Sequence, residues 1–95
     1  MVTNKLIALL PELATFHVIV NEGSFTAAAK KLGVTPSALS KLITRLESSL
    51  SIKLFERTTR RLLITEAGKN IYQQSTIIIE AAKQSIDISS LEHTV

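Results

Sequence analysis

The chain has 95 residues, no cysteine and a formal net charge of +3. That length makes one domain with a modest core and no cavity between lobes for a small molecule, and the lack of thiols excludes disulfides and thiolate metal sites, as suits a reducing cytoplasm. The charge is uneven: nine of the eleven basic residues lie between Lys30 and Lys69, opposed there only by Glu47, Glu56 and Glu66, so this window carries about +6 and the remainder about −3.

Residues 2–10 are apolar without punctuation and fit either a short lead-in helix or an extended arm. With a single basic residue and an interruption at Pro11-Glu12, the beginning makes a poor signal peptide and no membrane span, which points to an intracellular chain. Pro11 at a helix start, Glu12 in its first turn, and apolar Leu13, Phe16, Ile19 and Val20 predict a first helix ending near Glu22-Gly23. On it His17 reads as a partly exposed helix residue.

Ser24 to Leu50 predicts two short amphipathic helices joined by a tight turn. Ser24 caps the first, whose apolar spacing runs through Phe25, Ala28, Ala29 and Leu32 to a left-handed turn at Gly33. Thr35 caps the second, Pro36 occupies its first position where a missing N–H costs nothing, and Leu39, Leu42, Ile43, Leu46 and Leu50 form its apolar stripe. This is a helix-turn-helix, the device by which a chain offers one helix to a DNA groove.

Beyond Leu50 the helical period gives way to two short runs, Lys53 to Arg57 and Arg61 to Thr65, separated by Thr58, Thr59 and Arg60. They predict a small hairpin, or wing, tipped with Arg57, Arg60 and Arg61. Two strands are marginal in water, so Leu54, Phe55, Leu63 and Ile64 are expected to lean on the helices. Thr65 then caps a final helix, predicted from Glu66 to about Ser89 and roughly 36 Å long. Ile71, Tyr72, Ser75, Ile78, Ile79, Ala82 and Ile86 fall on one face of it. A projecting apolar stripe calls for a second copy of the chain, the alternative being that the helix folds back on its own domain. The tail from Ser89 to Val95, with His93, reads as frayed.

Phe16 and Val20, followed by GSFTAAAKKL, TPSALSKLITRLE, LFER and LLITEAG in this order, resemble the N-terminal winged helix-turn-helix of LysR-type transcriptional regulators. The resemblance covers roughly Leu10 to Tyr72. It departs from the family pattern at Ser51, where glycine is general, and at Pro36 and Leu42, where glutamine is frequent. The predicted fold is therefore mainly α: a winged helix-turn-helix of three helices and a two-stranded wing over residues 1–65, then a linker or dimerisation helix and tail over 66–95.

The resemblance implies sequence-specific binding of double-stranded promoter DNA in a bacterial cytoplasm, at the nucleoid. It implies a homodimer joined through linker helices on an interrupted inverted repeat, with higher assembly in the full-length protein. It also implies a C-terminal effector-binding domain, which would be the only route to a small molecule and is absent from this chain, so the sequence reads as an isolated DNA-binding fragment. With the recognition helix at about 36–50 in the major groove, Pro36, Ser37, Ser40, Lys41 and Thr44 are the expected base contacts. Ser24, Thr26 and Thr35 at the helix starts are the expected phosphate contacts, although capping is an alternative role for them. Arg45 is placed either on phosphate or in a pair with Glu47 or a neighbour, and Arg57 either on phosphate or in a pair with Glu47. Thr58, Thr59, Arg60 and Arg61 at the wing tip (wing about 54–65) are assigned to the backbone or minor groove.

Catalysis is not expected. His17 and His93 are isolated in sequence, no phosphate-binding glycine loop or HExxH spacing occurs, and no cofactor, metal or membrane partner is called for. A winged helix meeting an acidic protein is the alternative to DNA.

Overall fold

The computed structural model describes residues 4–57 and 62–93, in the order α1 (Asn4–Glu22), α2 (Phe25–Leu32), α3 (Pro36–Leu50), β1 (Phe55–Arg57), β2 (Leu62–Ile64) and α4 (Glu66–His93). α1 touches α2, α3 and α4, and so sits at the centre of the helical layer. The two strands form one antiparallel ladder, with Phe55 opposite Ile64 and Arg57 opposite Leu62.

Local chemistry sets the ends of α2 and α3. The Ser24 hydroxyl accepts the Ala27 N–H at 3.0 Å and the Thr35 hydroxyl accepts the Ala38 N–H at 3.1 Å, each satisfying a donor that the first turn of a helix leaves over. Gly33 closes α2 at φ 71°, where a side chain is disfavoured. Ser51 closes α3 at φ 57° without that freedom, and its N–H and that of Ile52 bond back to Ser48 and Glu47 carbonyls. The unusual residue therefore makes the ordinary turn.

The core gathers Phe16 and Ile19 of α1, Ala28 and Ala29 of α2, Leu39, Ile43 and Leu46 of α3, and Leu54 and Phe55 at the wing. Alanines let α2 approach its neighbours closely. The Phe55 ring stands 5.4 Å from that of Phe16 and 5.8 Å from that of Phe25, tilted and edge-on, arrangements that add about 0.5–1.5 kcal/mol to simple burial. Gly68 completes the joint, since a Cβ there would lie 2.4 Å from the Leu54 carbonyl oxygen.

Several expectations are corrected. α1 begins at Asn4, so residues 4–10 are helical and Pro11 lies inside the helix. Proline leaves the Ile7 carbonyl without its helical donor, but Ile7 and Pro11 both lie on the exposed side of α1, where solvent can serve that oxygen. Meanwhile Leu9 and Leu13 carry the apolar face through the proline to the core. Glu12 is accordingly mid-helix and faces α3. In the wing, Leu62 and Ile64 pack inward whereas Leu63 is exposed, because alternation along a strand allows only one of two neighbours to face the core. α4 remains helical to His93, past the predicted end near Ser89.

His17 is the largest departure. It is buried, stacked on Tyr72 with ring centroids 4.9 Å apart, and its Nδ1 lies 3.2 Å from the Ser75 hydroxyl. Ser75 donates its single proton to the Tyr72 carbonyl at 2.8 Å, so the hydroxyl oxygen accepts from an Nδ1–H of His17. The Tyr72 hydroxyl in turn donates to Asn21. These contacts fasten the first half of α4 to α1.

Candidate nucleic-acid interface

The candidate face is built by dividing α3 around its axis. Leu39, Ile43 and Leu46 are buried, with Leu42 and Leu50 packed at the margin of the core. At 100° per residue, Ser37, Lys41, Thr44 and Ser48 then cluster on the opposite side, and all four are exposed. Pro36 is exposed at the leading end, while Ser40 is half-buried on the flank. The Thr44 hydroxyl donates to the Ser40 carbonyl at 3.0 Å. Its remaining lone pairs leave it an acceptor on the exposed side of the helix.

A shallow hollow lies among Ser40, Lys41, Thr44 and Arg45. Among the described residues Lys30, Lys41 and Lys53 are exposed and have no carboxylate within 4.0 Å. Lys31 pairs with Glu22 at 3.2 Å and Lys69 with Glu66 at 3.7 Å, both at the surface, where such contacts contribute little. Three uncompensated ammonium groups around an exposed polar helix make a surface suited to a polyanion.

Ser24 and Thr35 have their hydroxyl oxygens engaged as caps, which leaves each a proton to donate outward. Thr26 is exposed one residue into α2. Arg45 does not pair with Glu47: its Nε lies 4.0 Å from the Glu12 carboxylate across the α1–α3 groove. Glu47 instead accepts the backbone N–H groups of Leu54 at 2.8 Å and Phe55 at 3.4 Å, fixing the start of the wing to α3. Thr65 reinforces that joint, donating to the Lys53 carbonyl at 2.6 Å while its oxygen caps α4 through the Gly68 N–H at 2.9 Å. The wing is thus held at its base by side-chain chemistry. Arg57 ends β1, while its side chain and all of Thr58, Thr59, Arg60 and Arg61 lie outside the described residues.

The expected dimer face of α4 divides along its length. Ser75 is 1% exposed, and Ile71 and Tyr72 pack against the chain's own core, so Ser75 is withdrawn from any seam and the other two are mostly occupied. Ile79 is half-buried, whereas Ile78, Ala82 and Ile86 are exposed. Ile77, Ile88 and Leu91, absent from the sequence-based set, add exposed apolar area on the other side of the helix. Ser48, outside the sequence-based set, shares the exposed side of α3, as its place seven residues after Lys41 implies.

Among the described residues there is no grouping of three or more potential metal ligands, and no helix is long and apolar enough to cross a membrane. Residues 10–69 match the family model described as "Bacterial regulatory helix-turn-helix protein, lysR family". The chain is 47% identical over 87 residues to the probable HTH-type transcriptional regulator LtrA of Klebsiella pneumoniae, a match covering 92% of this chain and 28% of that protein. It is 40% identical over 79 residues to the HTH-type transcriptional regulator DmlR of Escherichia coli K12, covering 83% of this chain and 26% of that one. The chain therefore spans little more than a quarter of these relatives. Among solved structures, BenM_DBD in complex with catB site 1 DNA superposes with a TM-score of 0.81 at 32% identity, covering 90% of this chain and 97% of that one. Full-length AphB, the virulence activator of Vibrio cholerae and a member of the LTTR protein family, gives a TM-score of 0.77 at 32% identity, covering 83% of this chain and 28% of that one.

Proposed function

This chain belongs to the lysR family of bacterial regulatory helix-turn-helix proteins, and on that footing we propose that it binds double-stranded DNA sequence-specifically, as a dimer on an interrupted inverted repeat in a promoter operator. The observation that carries the proposal is the division of α3, whose polar side is solvent-exposed while its apolar side is locked into the core. A rigidly backed helix with an open polar face suits entry into the major groove. Lys41 donates to guanine O6 and N7, Thr44 accepts from an exocyclic amine, and Ser37 and Ser40 discriminate more weakly because a hydroxyl serves as either donor or acceptor. Pro36 supplies an apolar contact to a thymine methyl.

Ser24, Thr26 and Thr35 sit at helix N-termini, where N–H groups and partial positive charge favour phosphate. Arg45, Arg57 and the wing-tip residues Thr58, Thr59, Arg60 and Arg61 add backbone or minor-groove contacts. The distal part of α4, through Ile78, Ile79, Ala82 and Ile86, joins two copies. This reading places the protein in the bacterial cytoplasm at the nucleoid. Selection of bound sequences from a randomised duplex pool tests the proposal: it predicts two related half-sites in inverted orientation at a fixed spacing. Recovery of unrelated sequences would refute it.

A further inference from the structure

Glu12 lies mid-helix on α1 with its side chain only 19% exposed, and its Oε1 is fully buried with no hydrogen-bond partner among the described residues. Its other oxygen faces Arg45 on α3, 4.0 Å from Nε, and that arginine is 72% exposed. The two line one groove with Ala8 and Leu9 of α1 and Thr44 and Ser48 of α3. A buried carboxylate oxygen left without a donor weakens a fold, and an ion pair with so exposed an arginine returns only part of that to stability. Glu12 is therefore poorly explained as a stabilising residue.

Its position suggests another use. Arg45 borders the hollow formed by Ser40, Lys41 and Thr44 on the recognition face, so a phosphate approaching that flank meets an arginine already facing a fixed negative charge. Resting on the DNA-binding reading above, we propose that Glu12 is a positioning residue that restrains Arg45 in the DNA-free protein and lowers affinity for DNA of arbitrary sequence. The pair is nearly neutral at a distance, so it adds little to the long-range attraction that drives sequence-independent binding. Arg45 becomes available to phosphate only when α3 docks closely enough for the phosphate to replace the carboxylate as its partner. Glu12 thereby widens the gap between fitted and unfitted duplexes, the quantity on which finding a site among many depends.

The test is a double-mutant cycle read by binding to a mixed-sequence duplex over a range of salt. Glu12→Gln keeps the side chain's length and removes its charge. It is expected to raise affinity about two- to fivefold at low salt, the range an exposed ion pair can supply, and to steepen the salt slope by about one, the signature of one more phosphate contact. In an Arg45→Ala background the same substitution should change neither quantity. A gain that persists without Arg45 would mean simple repulsion of DNA by the carboxylate, and a loss on Glu12→Gln would mean that Glu12 supports binding; either overturns the inference. A second measurement needs no DNA: the Arg45 Nε resonance should shift in Glu12→Gln, and an unchanged resonance overturns the restraint. If the unmodified chain is not retained on duplex DNA at all, the DNA-binding reading falls, while the resonance still decides whether the pair exists.

Discussion

α3 and α4 both divide their residues between the interior and the surface, but along different directions. α3 divides around its axis, so that Leu39, Ile43 and Leu46 anchor the helix along its whole length and Ser37, Lys41, Thr44 and Ser48 stand outward on a rigid backing. α4 divides along its axis. Its first turns are held to α1 by the His17, Tyr72 and Ser75 contacts, and its far turns carry Ile78, Ile86, Ile88 and Leu91 to the surface. An exposed polar face on a fixed helix is finished as it stands, ready for a charged ligand. An exposed apolar stretch on a projecting helix is unfinished, and its stability rises when another surface covers it.

The largest effect that sharpens this contrast is on the inner side of α3. Ile43 is fully buried, and Ile43→Ala should lower stability by about 2–5 kcal/mol through lost burial and a residual cavity. Denaturant unfolding checks the value; a change below about 1 kcal/mol would show that α3 is not anchored by this face. Next comes the outer part of α4. Ile78 is 39% exposed, so in the proposed dimer Ile78→Glu should leave unfolding of the single chain unaltered yet weaken self-association by at least about 2 kcal/mol, because association would bury a charge. Sedimentation equilibrium reads the difference, and unaltered association would remove the distal stripe from the dimer seam. The smallest effect is at the end of α3. Ser51→Gly should stabilise by about 1 kcal/mol, since glycine occupies φ 57° without the Cβ conflict. Thermal melting that fails to rise would show that the turn is not strained.

What could be read from the sequence follows the range of the interactions. The caps at Ser24 and Thr35, the turn at Gly33 and the stripe of α3 are set by residues within a turn of one another, and all stand where the local pattern placed them. Pro11 misled because its usual position, at a helix start, is also a local rule, here overridden by the burial of Leu9 and Leu13 in tertiary contact. The expectation for His17 fails because its partner Ser75 lies 58 residues away. Glu12 and Glu47 likewise take their roles from elements distant in sequence. In the wing, a three-residue strand carries too few alternations to fix its phase, so the sequence does not show that Leu62 rather than Leu63 takes the inner side. The periodicity of α4 identifies an apolar face but contains nothing to say which part of it the chain's own core covers.

The account turns on bases being read by the open side of α3. The most direct test substitutes Lys41→Ala and compares binding to a duplex recovered by selection with binding to a scrambled duplex at the same salt. Loss of about 1–3 kcal/mol on the selected duplex, with relaxed preference at one base pair and a much smaller loss on the scrambled one, is the predicted result. Equal losses on both would contradict base reading by this face and reduce α3 to a phosphate-binding surface.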